Sequence, residues 1–238
     1  MNNLPSMTHQ ERQARAGEKR ERLLNFFASG EVWTSTQLAA DLLQVSRPVA
    51  LTALAALGKE RAIVSESHMI GGRTQKIWGI TSHGLALAEV AGTVQAFQLG
   101  RTNPSHIPHH LQTQGARIAA ENAGWSEWVP GKLLYNRQLR KVPDAAATSP
   151  TGKRVALEIE RYIKSPKRYA DIIAAYLRDI KDGHFDEVHY LAPNNLEVPL
   201  EKVFRGIKTF SFAGEQVQVE ERHQNRFKFY ALSAWPTH

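Results

Sequence analysis

The stretch from Val142 to Tyr169 constrains the fold of this chain more than any other part. It contains a Pro-Asp pair, a turn, and then Glu158 and Glu160 separated by one isoleucine. Side chains alternate between the two faces of a β-strand. A strand over residues 155–160 would therefore place both glutamates on one face and direct the intervening apolar residues into a core.

Asp144 ends the preceding strand in this interpretation, where it would meet the two glutamates. Three carboxylates from two paired strands repel one another unless a divalent cation lies between them, and hard oxygen ligands suit Mg²⁺ or Mn²⁺. We therefore expect Asp144, Glu158 and Glu160 to bind metal in an enzyme that cleaves phosphodiesters. The alternative is a solvated Glu-x-Glu on an edge strand, which is common in isolation.

The composition favours a polyanionic partner. The chain carries 30 Lys and Arg against 23 Asp and Glu, which gives a formal charge of +7. Its 238 residues, 42% of them hydrophobic, allow one large domain or two small ones, and we favour two. The absence of cysteine excludes disulfides and thiolate metal sites. No apolar run is typical of a signal peptide or a membrane span, so we expect a cytoplasmic protein without membrane insertion.

The N-terminal third predicts three helices followed by a hairpin. A helix from Glu11 to Phe27 is amphipathic in its second half. Thr34 or Ser35 can cap a second helix, and a third runs from the cap Ser46 to Gly58.

Strand-like segments at 62–67 and 75–81, with a turn at Gly71 and Gly72 between them, predict a β-hairpin directly after the third helix. A fourth helix is expected from Ser82 to Val90. Two short helices joined by a tight turn and followed by a hairpin have the order of a winged helix.

This part of the chain is expected to bind DNA. The hairpin carries Arg73 and Lys76, which suit contacts with a phosphate backbone. On the third helix, Ser46, Arg47 and Thr52 are candidates for contacts in a groove. Winged helices also serve as protein–protein modules, in which case the two hairpin cations only maintain solubility.

We place a winged-helix domain at 10–92, a linker at 93–108 and an endonuclease-like domain at 109–238. Three histidines near the second boundary lack the His-apolar-His spacing of a two-histidine metal motif, so they are expected to start a helix. The remaining elements predict an α/β (α+β) layer with a mixed sheet. They are a helix at 109–122, a strand near Trp125, the strand at 155–160, a helix at 167–181, a strand at 187–192, a helix at 200–207, and strands at 216–220 and 227–234.

The Pro-Asp, turn and Glu-x-Glu arrangement, with a helix and a strand after it, resembles the PD-(D/E)xK restriction-endonuclease fold. Together with the winged helix, KSPKRY and VHYLAP, it makes the chain similar to the replication-relaxation family and its MobC-type plasmid mobilisation relaxases. The resemblance extends from about Leu23 to Pro193. It implies a catalytic set of Asp144, Glu158, Glu160, Lys167, Arg168, Tyr169 and Tyr190.

In the mechanism we favour, Asp144 and Glu158 hold the cation, which polarises the phosphate and acidifies a bound water. Glu160, which stands where this fold usually has lysine, orients or deprotonates that water. A cation from Lys164, Lys167 or Arg168 offsets charge in the transition state. Two roles stay open for Tyr169, as a nucleophile or as a hydroxyl that hydrogen-bonds a carboxylate or phosphate.

The sequence therefore predicts a relaxase-like, metal-dependent nickase that acts on double-stranded plasmid DNA at a transfer origin. The resemblance also implies an accessory mobilisation protein and a coupling protein as partners. The main alternative is a non-catalytic winged-helix regulator of replication or transcription. A third option is a restriction-type endonuclease that cuts both strands.

Overall fold

The structure is a computed structural model that describes residues 7–88, 94–135, 137–193, 195–212 and 214–236. The chain is a mixed α/β protein with two compact units, Met1–Gln114 and Gly115–His238. The boundary between these units falls inside a helix, Ile107–Asn122. The last two residues of the predicted linker, 107 and 108, belong to that helix, and residues 89–93 lie outside the described residues.

The first unit contains the predicted helices and hairpin, together with one short strand that the sequence analysis did not predict. That strand, β1, pairs antiparallel with β3, and the sheet order is β1-β3-β2. A π-helical turn over Phe27–Glu31 follows the first helix. The elements are α1 (His9–Phe26), β1 (Trp33–Ser35), α2 (Thr36–Leu43), α3 (Arg47–Lys59), β2 (Ile63–Ile70), β3 (Arg73–Ile80) and α4 (Ser82–Leu87).

Local chemistry sets the ends of these elements. Ser35 caps α2 by accepting from the Leu38 amide at 3.2 Å. Ser46 lies at the N-cap position of α3, as predicted, but its side chain makes no capping hydrogen bond. Gly71 and Gly72 both have positive φ angles, which a two-residue hairpin turn requires and glycine adopts without strain.

Buried polar side chains join the elements of the first unit. The Trp78 indole donates to the Thr36 hydroxyl at 3.0 Å, which links β3 to α2. The Gln114 side chain accepts from the Thr34 hydroxyl at 2.7 Å and donates to the Trp33 carbonyl. A lost partner would leave a buried polar group unsatisfied, so these bonds favour one arrangement of β1. The apolar core around them includes Leu23, Leu24, Phe27, Leu42, Leu54, Leu57, Ile63, Ile77 and Ile80.

The second unit is built on a five-stranded mixed sheet in the order β10-β7-β6-β5-β4. Strands β10, β7 and β6 are parallel, whereas β6, β5 and β4 are antiparallel. The separate hairpin β8-β9 begins with a strand that was not predicted. The elements are α5 (Ile107–Asn122), β4 (Ser126–Pro130), β5 (Ala145–Thr148), β6 (Arg154–Ile159), α6 (Pro166–Lys181), β7 (Glu187–Ala192), α7 (Glu197–Gly206), β8 (Thr209–Phe212), β9 (Glu215–Gln218), α8 (Glu221–Gln224) and β10 (Phe227–Ala231).

Both faces of this sheet are covered. On one face, Leu157 and Ile159 pack with Ala116 and Ala120 from the second half of α5. On the other face, Ala156 and the β7 residues Val188, Tyr190 and Ala192 pack with α6 and α7. The alternation predicted for β6 therefore produces two cores, one on each side of the strand.

The structure corrects the predicted position of Asp144, which lies directly before β5 and does not end a preceding strand. A segment that begins with a 3-10 turn over Gly131–Leu133 separates it from β4. The Asp144 amide donates to the Leu157 carbonyl at 3.0 Å, which joins this position to β6.

Among the described residues, no single helix has the length and apolar composition to cross a membrane. The pair α2 and α3, bent by 105° at its break, passes that test only when the two helices are taken together.

A Gly131→Ala substitution should lower the free energy of unfolding by about 1–3 kcal/mol, the range for overpacking. A methyl group at Gly131 would lie 2.2 Å from the Pro143 carbonyl oxygen and 2.9 Å from that of Asp144. Urea denaturation would measure the change. Gly206→Ala is the matched control, because its added carbon meets no atom within 4 Å. Equal stability of Gly131→Ala and wild type would contradict this packing.

Candidate functional site

Glu158 lies in β6, the middle strand of the second unit's sheet, and is only 7% exposed. Its Oε1 accepts from the Lys141 Nζ at 2.5 Å and from the Tyr176 hydroxyl. Burial, together with the negative charge of nearby Asp144, raises the pKa of Glu158. The prediction of a solvated edge-strand Glu-x-Glu is therefore wrong, since β6 is paired on both sides.

Lys141 is held next to Glu158 by a fully buried acid on α6. Asp179 accepts from the backbone amides of Arg140 at 2.9 Å and Lys141 at 3.1 Å. Two such bonds to a carboxylate fix the backbone at the point where the lysine side chain leaves it. Helix α6 therefore positions both the lysine and Tyr176 around Glu158.

Asp144 is half-buried, and its Oδ2 accepts from the backbone amide of Ile159 at 2.8 Å. Its own carbonyl accepts from the Gly131 amide at 2.8 Å. These bonds hold Asp144 across the β5–β6 pair, close enough to Glu158 to affect its pKa. The structure brings together these two predicted ligands.

Glu160 follows β6 directly and is 5% exposed. It forms an ion pair with Lys164, four residues further along the chain. The amide of Lys164 donates to the hydroxyl of buried Tyr169 at 3.1 Å. Burial, the largest cause, and the charge of Glu160 raise the pKa of Tyr169. This tyrosine therefore keeps its proton, which disfavours a role as nucleophile.

Tyr190 pairs with Glu158 in the β6–β7 register, and its side chain is buried. Its hydroxyl has no hydrogen-bond partner among the described residues. Burial and the charges of Glu158 and Glu160 raise the pKa of this hydroxyl. A buried unsatisfied hydroxyl beside three carboxylates is a place where a water molecule or a ligand would be stabilised.

Lys167 and Arg168 are exposed in the first turn of α6. The cations that contact the two glutamates are Lys141 and Lys164. The catalytic role of Lys167 and Arg168 stays a prediction.

No group of three or more acidic or histidine side chains within the described residues is arranged to hold a metal ion. Mg²⁺ usually retains several waters and binds through one or two carboxylates. Asp144 and Glu158, next to the unsatisfied Tyr190 hydroxyl, fit that kind of site. Glu160 as a third ligand stays a prediction.

Sequence analysis did not assign roles to three residues of this cluster: Lys141, Tyr176 and Asp179. The available signal was Asp179, a charged residue on the apolar face of an amphipathic helix. A buried carboxylate there requires partners. The identity of those partners could not be predicted, because Arg140 and Lys141 lie 39 and 38 residues away in sequence.

The residues predicted to contact DNA are all exposed in the first unit. Arg47 is the first residue of α3 and Arg73 the first of β3. The Lys76 ammonium lies 4.2 Å from the centre of the Trp78 ring. The Thr52 hydroxyl donates to the Pro48 carbonyl in its own helix, at 3.1 Å.

No protein-family model matches the chain, and neither does any curated protein. Stf76 from the Sulfolobus islandicus plasmid-virus pSSVx is 15% identical over 29% of this chain and 91% of its own, with a TM-score of 0.25. An apo-form mutant of Lactococcus lactis ZitR is 18% identical over 48% of this chain and 72% of its own, with a TM-score of 0.28. NadR in complex with 4-hydroxyphenylacetate is 15% identical over 48% of this chain and 84% of its own, with a TM-score of 0.26. Likenesses at these scores carry no argument about this chain.

As pH rises above the ordinary glutamate pKa of 4.5, the Glu158→Gln variant should become increasingly stable relative to the wild type. In that window the unfolded wild type loses a proton that the folded state keeps. Its unfolding free energy therefore falls by up to about 1.4 kcal/mol per pH unit, until the raised pKa is reached. The variant lacks this loss.

Urea denaturation of both proteins across the pH series would measure the difference. Glu215→Gln, which replaces an exposed acid of β9, is the control and should show no such trend. A wild-type-to-Glu158→Gln difference that stays flat with pH would contradict the burial of an ionisable Glu158.

Proposed function

We propose that the first unit of this chain is a winged helix and that it binds duplex DNA. The observation that carries the proposal is the exposure of Arg47 on α3 and Arg73 at the hairpin tip. Neither arginine has an ion-pair or hydrogen-bond partner among the described residues. Cations left without protein partners are available for phosphates and base edges.

The surroundings of these arginines support the proposal. The sequence from Ser67 to Ala88 contains no acidic residue, and Glu66, the acid of β2, is bonded to the Gly100 amide and to His68. Thr52 presents its methyl group, because its hydroxyl is bonded to the Pro48 carbonyl. The net charge of +7 would speed association with DNA.

Arg47→Ala and Arg73→Ala should each weaken binding to a labelled duplex of mixed sequence. Each should also reduce the salt dependence of log Kd by about 0.9, the value for one lost phosphate contact. Fluorescence anisotropy over a salt series measures both quantities. Lys202→Ala, an exposed cation on α7, serves as the control and should behave as wild type. Unchanged affinity and salt slope in both arginine variants would rule out this surface.

As a second candidate function, we propose that the second unit cleaves phosphodiesters. The observation that favours it is the buried cluster of Asp144 and Glu158, with Lys141 and an unsatisfied Tyr190 hydroxyl around it. The Pro-Asp, hairpin and Glu-x-Glu order, followed by α6 and β7, supports a PD-(D/E)xK relationship. Bound at Asp144 and Glu158, Mg²⁺ or Mn²⁺ would polarise a phosphate and acidify a water.

The other side chains of the cluster have separate roles in the proposed cleavage. Lys141 and Lys164 supply positive charge that offsets the charge developing on a phosphate. Glu160 orients or deprotonates the attacking water. Burial raises the pKa of Tyr169, so its hydroxyl stays protonated and can donate a hydrogen bond to Glu160.

The finer proposal follows the resemblance to mobilisation relaxases: a strand-specific nick in plasmid DNA at a transfer origin. An accessory mobilisation protein and a coupling protein would then act with it. The competing proposal is a DNA-binding regulator in which the second unit makes no cut. The nickase proposal and the regulator proposal use the same DNA-binding surface of the first unit.

Incubation of supercoiled plasmid with the protein and Mg²⁺ or Mn²⁺ should give open circles, and linear product would indicate a double-strand cut. Asp144→Ala and Glu158→Ala should each lower the rate about hundredfold or more, the scale for losing an electrostatic stabiliser. Asp171→Ala, an exposed acid on α6, is the matched control.

Equal nicking by wild type, Asp144→Ala and Glu158→Ala would contradict the site. No cleavage by wild type on plasmids that it binds would favour the regulator.

A further inference from the structure

The second unit also contains a pocket with an aromatic lining, apart from the carboxylate cluster. Its volume is about 400 Å³, and its aromatic lining comes from Trp125, His189, Tyr230 and Trp235. Two of the rings, those of Trp125 and Trp235, lie 4.9 Å apart, and those of His189 and Tyr230 lie 5.0 Å apart. Trp125 and Tyr230 are partly exposed, so their surfaces are available to a planar ligand.

This pocket lies on the opposite face of the sheet from the carboxylates. Glu187, in its wall, opens β7 and pairs with Val155 at the start of β6. Glu158 is three residues further along β6 and points to the other side. The pocket is therefore separate from the site proposed for cleavage.

A continuous polar chain forms part of the pocket wall. Lys153 donates to one carboxylate oxygen of Glu187 at 3.0 Å, and His189 Nε2 contacts the other at 3.0 Å. The Trp235 indole donates to His189 Nδ1 at 3.1 Å. Both imidazole nitrogens are thus engaged, and burial, as the largest cause, lowers the pKa of His189. The histidine is a neutral link that orients Trp235.

The charges around the pocket favour an anion. Lys153 is exposed beside Glu187, and Lys228 pairs with His189 on the neighbouring strand. Lys228 and Tyr230 lie on the same face of β10, two residues apart. Both oxygens of Glu187, the acid in the wall, are already bonded to Lys153 and His189.

We propose that this pocket binds an unpaired nucleobase of single-stranded DNA, stacked on Trp125 and Tyr230, with the adjacent phosphates on Lys153 and Lys228. Base stacking on aromatic rings combined with backbone contacts to cations is the usual chemistry of single-strand binding. Ser149 and Thr151, whose hydroxyls lie 3.0 Å apart in the wall, can hydrogen-bond the base edge. A free nucleotide has the same base and phosphate, so the test includes both sources.

The proposal does not depend on duplex binding by the first unit or on cleavage, and the measurement separates them. The full chain, without added metal, is titrated against a labelled thymidine oligonucleotide, against thymidine monophosphate and against the labelled duplex. Trp125→Ala and Tyr230→Ala should each raise the Kd for the oligonucleotide on the order of fivefold to hundredfold. Their affinity for the duplex should stay at the wild-type value.

Three further variants keep the test decisive. Tyr230→Phe retains the ring and should bind like wild type, and Lys228→Gln should weaken oligonucleotide binding and reduce its salt dependence. Tyr135→Ala, which removes a ring that is 73% exposed outside the pocket, should have no effect. The proposal is overturned if wild type does not bind the oligonucleotide, or if Tyr230→Ala and Lys228→Gln both bind like wild type. Monophosphate binding as tight as that of the oligonucleotide would also overturn it, in favour of a free nucleotide.

Discussion

The burial of Glu158 in a strand that is paired on both sides is the constraint on which the second unit depends. Moving a carboxylate out of water costs several kcal/mol unless other groups replace its hydration. Here Lys141 and Tyr176 replace it, and Asp179 fixes the backbone that carries the lysine. The side chain of Glu158 therefore links the sheet to α6 and to the segment before β5, in addition to the apolar core between them.

Much of the fold follows from local patterns in the sequence. The two-residue period of β6 predicts both the buried core side of the strand and the shared face of its acids, and the cap residue Ser35 marks the start of α2. Strands β1 and β8 escape prediction because they are short and owe their existence to pairing partners elsewhere in the sequence. Local period carries no information about such partners.

The candidate site is predictable only in part, for the same physical reason. Asp144 and Glu158 form a recognisable motif, since the hairpin that brings them together is short in sequence. Asp179 bonds a loop that lies 38 and 39 residues away in sequence, and Tyr176 reaches Glu158 from 18 residues away. The pocket around His189 likewise draws on four separate segments, so its individual residues have no shared motif.

Helix α6 carries Tyr176 and Asp179 three residues apart, so that both reach the same region from adjacent turns. Each residue of an α-helix advances the side-chain direction by about 100°. Inserting or deleting one residue between Tyr169 and Tyr176 would therefore rotate the second half of the helix and separate both side chains from their partners together. The exposed turn at Gly71 and Gly72, between β2 and β3, is under no such restriction. Length variation among related chains should consequently spare α6 and accumulate in that turn.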